Sequence, residues 1–157
     1  MQVDVLAPLQ ELRIDGPEPV RPERAPARPQ RESYPFRLDV RTCFGDLDTN
    51  RHVNNVALAG WYLDALAELH LDVLGYPTGG PLDSLAASSL KIDYLTEVQY
   101  PAIHQLRVGV AEVVGGTVRY ACGLFDGPRC IGLAEATGEL PDDEPELAPR
   151  LAAFALR

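Results

Sequence analysis

The sequence predicts an α+β fold, with one antiparallel sheet wrapped around a single long central helix. Three observations carry that expectation. Residues 53–74 have the length and apolar content of one long helix. The segments on either side alternate apolar and polar with period 2, and two glycine turns, Gly115-Gly116 and Asp126-Gly127, fold the later segments into hairpins. A helix that is apolar over most of its surface needs a cover, and a sheet with one apolar face is the element available to supply it.

The elements follow in order. Residues 1–33 read as a tail: five prolines and four arginines between Gly16 and Arg31 remove backbone donors and exclude helix. The folded domain is expected over 34–140. Phe36, Leu38, Val40 and Thr42 alternate with Arg37, Asp39 and Arg41, the pattern of a half-buried strand. Phe44 to Arg51 is dense in turn formers. The helix runs from Val53 to Leu74, with Asn54 or Asn55 available to cap it and Gly75 and Pro77 to stop it. Its apolar residues, Val56 through Val73, surround most of the circumference. Asp64, Glu68 and Asp72 form one narrow polar stripe. Four strands come next, around Leu90–Tyr94, Leu106–Val110, Val118–Phe125 and Cys130–Thr137, and are expected to follow one another as a meander. Residues 141–157 are an acidic spacer and a short segment with helical character from Leu147.

Composition bounds the function. With 157 residues and 46% hydrophobic content, the chain supports one core. A net charge of −9 argues against nucleic acid, whose phosphates call for a basic face. No apolar run approaches the ~20 residues of a membrane span, and the first residues lack a secretory pattern, so a cytoplasmic location is expected. Cys43, Cys122 and Cys130 have neither disulfide-framework nor zinc spacing and read as reduced, buried small residues, with Cys122 and Cys130 facing each other as one arrangement. No metal and no cofactor are expected, because the histidines lack clustered ligands.

The segment Asp46-Leu47-Asp48-Thr49-Asn50-Arg51-His52-Val53-Asn54-Asn55 concentrates carboxylates, amides and an imidazole immediately before the helix. That suits acyl transfer: a carboxylate deprotonates water or attacks a carbonyl, neighbours orient it, and the helix N-terminus offers unpaired N–H groups to an oxyanion. The same residue types also make turns and caps, and composition alone leaves the two readings level.

The stretch Asp48-Thr49-Asn50-Arg51-His52-Val53-Asn54-Asn55-Val56, with Gly60-Trp61-Tyr62-Leu63-Asp64 after it, resembles the signature of hotdog-fold acyl-CoA and acyl-ACP thioesterases, the group that includes the 4-hydroxybenzoyl-CoA type. It is particularly similar to the catalytic half of the plant fatty acyl-ACP thioesterases, over roughly residues 36 to 138. The resemblance implies a hotdog fold, hydrolysis of an acyl-CoA or acyl-ACP thioester, and a homodimer joined edge to edge with the sites at its interface, tetramer being left open. It implies catalytic roles for Asp48, Asn50 and His52. Through Tyr94-Leu95-Thr96-Glu97, it implies one for Glu97 as well. Val53, Asn54, Asn55, Leu58 and Trp61 are the expected substrate-binding residues. Two departures stand out: Val98 replaces the cysteine that follows the glutamate in the plant family, and Leu58 stands where many members have tyrosine. Two rival readings are a hotdog hydratase or dehydratase and a non-catalytic acyl-CoA-binding module. The first places its histidine five positions after the aspartate, whereas His52 is four after Asp48. The second is expected to lack the aspartate.

Overall fold

A computed structural model of the chain describes residues 30–74, 87–140 and 146–157. The Pro/Arg-rich part of the tail, the Gly75 and Pro77 helix stop and most of the acidic spacer lie outside the described residues. Five strands form one antiparallel sheet: β1 (Phe36–Arg41), β2 (Ala87–Tyr94), β3 (Ile103–Val114), β4 (Thr117–Asp126) and β5 (Arg129–Glu139). The helix α1 (Asn55–Leu74) lies across one face, and a short helix α2 (Leu147–Ala152) follows β5.

The strand order is β1-β3-β4-β5-β2, and it corrects one expectation. β3, β4 and β5 form a meander, but β2 crosses to the far edge and pairs with β5, so Tyr94 faces Gly132 and Leu90 faces Ala136. The turns that build the meander are those in the sequence: Gly115, Gly116 and Gly127 adopt positive φ of 59°, 81° and 57°, which only glycine takes without strain.

Alternation decides which side chains meet the helix. In register, Leu38 faces Leu106, Leu106 faces Leu124, and Val108 faces Cys122, so one face of the sheet is a continuous apolar surface. Against it α1 packs Leu58, Trp61, Tyr62, Ala65, Leu66 and Leu69, all buried. The opposite side of α1 is open in the single chain: Val56 is 83% and Leu63 44% exposed. The helix is therefore buried along one face rather than around its circumference.

Two further corrections concern cysteine. Cys43 is exposed, not buried. Cys122 pairs with Ala134 and Cys130 with Phe125, so these two thiols are not cross-strand partners. Burial pushes the Cys122 thiol up to about 12, which leaves it an inert core residue.

The residues after α2 are used in a way that hydropathy does not signal. Val110 donates to the carbonyl of Phe154 (2.8 Å), Leu156 donates back to Val110 (3.0 Å), and Arg157 donates to Ser33 (3.0 Å). Where β1 stops short, the last residues thus take its place beside β3. Gly109 makes room for them, since a Cβ there would run into the Leu156 side chain.

Candidate active site

Two stretches of chain build the site. The first is a closed loop. Leu47 and Val53 form an isolated antiparallel bridge, and Asp48 organises what lies between. Its N–H donates to the His52 carbonyl (2.8 Å), its carbonyl accepts from Arg51 (3.0 Å), and its Oδ1 accepts from the amides of Asn50 (2.8 Å) and His52 (3.1 Å). This web holds Arg51 at φ 65°, in the left-handed region where a non-glycine residue is strained.

Below the loop Asn54 caps α1. Its Oδ1 accepts from Ala57 N–H at 2.8 Å, and its Nδ2 and N–H both donate to the Asp46 carbonyl at 2.7 and 2.8 Å. Asp46 in turn accepts from Cys43 N–H at 2.7 Å. Asp46 and Asn54 are scaffolding that fixes the loop to the helix start. The N–H groups of Asn55 and Val56, ahead of the capped amide, have no hydrogen-bond partner among the described residues, as the first turn of a helix dictates.

The second stretch follows β2. Thr96 N–H donates to Ile131 (3.3 Å) and Val53 N–H donates to Val98 (3.2 Å), while Arg129 Nη2 donates to Thr96 Oγ1 at 3.4 Å. Glu97 is pinned between these anchors. Its Oε2 lies 3.2 Å from His52 Nε2, with His52 about a third and Glu97 two-thirds exposed (35% and 66%).

Between the two stretches lies a cavity of about 330 Å³, lined by Asp48, His52, Val53, Asn55, Leu58 and the run from Tyr94 to Val98. It brings together Asp48, His52, Glu97, Val53, Asn55 and Leu58. Asn50 contributes its backbone amide to Asp48 rather than a side chain to the wall. Asn54 is spent on the cap, and Trp61 is buried in the core; none of these three lines the cavity. The sequence named Tyr94, Leu95, Thr96 and Val98 only as neighbours of Glu97 in its motif and gave none of them a place in the site, yet all four line the cavity. The available signal was their position around Glu97 at the end of an alternating strand.

A family model, the acyl-ACP thioesterase C-terminal domain, matches residues 28–107, a stretch containing both halves of this site. The chain belongs to the acyl-ACP thioesterase family. Like the family, it is an enzyme that hydrolyses acyl thioesters. Among solved structures it is similar to the PA5185 protein of Pseudomonas aeruginosa, at 24% identity over 82% of this chain and 96% of that one, TM-score 0.67. A Thermus thermophilus thioesterase complexed with coenzyme A and Zn is similar at 16% identity over 78% and 96%, TM-score 0.66. A DHNA-CoA thioesterase of Staphylococcus aureus is similar at 12% over 75% and 91%, TM-score 0.61. At these identities the likeness establishes the hotdog fold. No curated protein matches the chain in sequence. Among the described residues, no helix is long and apolar enough to cross a membrane.

Proposed function

We propose that the cavity between Asp48 and Glu97 hydrolyses a thioester carried on a phosphopantetheine thiol, as acyl-CoA or acyl-ACP, to the free acid and the thiol. The observation that carries this reading is the convergence of two carboxylates, an imidazole and the start of α1 on one cavity. Asp48 is oriented by two backbone amides on Oδ1, and Oδ2 has no hydrogen-bond partner among the described residues. Oδ2 takes a proton from water as the water oxygen attacks the thioester carbonyl. The Asn55 and Val56 amides hold the oxyanion that forms. Collapse of the tetrahedral intermediate breaks the C–S bond, and His52, set in place by Glu97, supplies the proton to the departing thiolate. The coenzyme A complex of the Thermus thermophilus relative and the acyl-ACP family model support the phosphopantetheine carrier.

The test is thiol release from matched acyl-CoA and acyl-ACP panels, with an enzyme-only blank because Cys43 is exposed. Glu97→Gln should lower kcat by about 10-fold, less than the ~10²-fold or more expected for losing a proton-transfer group itself. Absence of hydrolysis on both panels sinks the reading, and native kcat in Glu97→Gln removes Glu97 from it.

The working unit in this proposal is a homodimer. β2 is paired on one side only, a long edge strand needs cover, and large apolar side chains cluster beside it and the cavity: Tyr94, Leu95 and Val56, at 49%, 53% and 83% exposed. Light scattering should give twice the 17.1 kDa of one chain; the mass of a single chain across the working concentration range refutes the dimer. The three free thiols fit a reducing compartment such as the cytoplasm.

A further inference from the structure

Tyr62 lies one turn after Leu58 on the buried face of α1 and is only 1% exposed. Its hydroxyl has no hydrogen-bond partner among the described residues. A buried donor without an acceptor is a standing cost, and one kept close behind a cavity wall can be satisfied by an acceptor that arrives from outside.

The surroundings indicate where that acceptor comes from. A Cβ on Gly132 would stand 2.8 Å from the Tyr62 hydroxyl, so the phenol is seated over the position on β5 that has no side chain. Across the sheet Gly132 faces Tyr94. Tyr94 and Leu58 both line the cavity. Tyr62 itself does not line it, so the hydroxyl lies behind the wall that these two side chains form. Burial pushes the phenol above its ordinary range, so at neutral pH it is a donor.

We propose that Tyr62 is a specificity-determining residue, whose hydroxyl donates a hydrogen bond to an oxygen carried on the acyl group. The preferred substrates are thioesters whose chain bears an oxo or hydroxyl oxygen, over plain hydrocarbon chains of equal length. This rests on the hydrolytic reading above. The helix sets the reach. Seven residues separate Asn55 from Tyr62, a rise of about 10 Å, and helical side chains lean back toward the N-terminus. That puts the acceptor roughly 5–8 Å from the thioester carbonyl, the span of a four- or five-carbon chain.

The test compares 5-oxohexanoyl-CoA with hexanoyl-CoA in the full-length protein. The native enzyme should favour the oxo substrate in kcat/KM by about 10-fold, the scale of one satisfied against one orphaned buried donor. Tyr62→Phe should bring the ratio close to one. Gly132→Ala should lower it too, because the new methyl displaces the hydroxyl. The melting temperature of Tyr62→Phe should not fall, since no internal bond is lost. A native ratio near one, a ratio that persists in Tyr62→Phe, or a clear drop in that variant's melting temperature overturns the proposal. If the native protein cleaves neither these nor any other thioester, the hydrolytic reading has failed instead, and that result is visible before any variant is made.

Discussion

Asp48→Asn lowers kcat for thioester hydrolysis by roughly 10²- to 10³-fold, within the range expected for removing a general base, while KM changes little. Asparagine is chosen because it is the least disruptive replacement. Its side-chain oxygen still accepts from the amides of Asn50 and His52, which now meet Oδ1 at 2.8 and 3.1 Å, so the turn survives. What disappears is the proton acceptor at the second oxygen. Asp48→Ala removes both effects at once: no side chain remains to hold the left-handed conformation of Arg51, and the melting temperature should fall along with kcat. Measuring kcat and melting temperature for both variants separates chemistry from loop integrity. Native kcat in Asp48→Asn reduces Asp48 to a turn former and moves the base to Glu97.

The second large effect is a loss of stability in acid. His70 is 5% exposed, and its Nε2 lies 2.9 Å from Tyr120 Oη, between α1 and β4. Burial lowers its pKa to about 4, so the ring is neutral and shares one hydrogen bond with the Tyr120 hydroxyl, which burial keeps protonated. The unfolded chain has the ordinary histidine value near 6.5. Between about pH 6.5 and 4 the unfolded state therefore binds a proton that the native state refuses, and stability falls as pH falls. Each pKa unit is worth about 1.36 kcal/mol, so the loss approaches roughly 3 kcal/mol at the bottom of the window. His70→Gln keeps a polar partner for Tyr120 but does not titrate. Urea midpoints for both proteins at about pH 7 and pH 4.5 should show a shallower decline in the variant, and parallel declines would falsify the assignment.

Local chemistry made most of the elements legible. β1 and the two hairpins were readable because period-2 alternation and glycine pairs act over a few residues. The helix start was readable to within two positions, since Asn54 is a cap by its own side chain. The neighbour of β2 was not readable: alternation says that a strand has one buried face but is silent on which strand it joins, and the crossover to β5 is decided by the whole sheet. The open side of α1, where Val56 and Leu63 face outward, was hidden for a similar reason, because apolarity around a helix does not say which part this chain covers.

At the site, the sequence marked Asp48, His52 and Glu97 through spacing and resemblance. It held no sign that Asn50 serves through its backbone, nor that Thr96 and Val98 anchor Glu97, because such bonds are made by main-chain groups that every residue possesses. The unpartnered Tyr62 hydroxyl was likewise invisible, since its character depends on a glycine seventy positions away.

The anchoring of Glu97 ties its position to the edge of the sheet. The segment Tyr94–Val98 is held to the rest of the site by Thr96 to Ile131 and Val53 to Val98, and it continues directly from β2, one of the two edge strands. Native proteins open in sub-global steps, and outer strands detach at a lower free energy than the whole fold. Release of β2 together with the Thr96 and Val98 anchors would carry Glu97 away from His52 while α1 and the central strands stayed intact. The fraction of active molecules is then governed by the opening equilibrium of one peripheral strand, and anything that closes over that strand raises activity without touching a reacting atom.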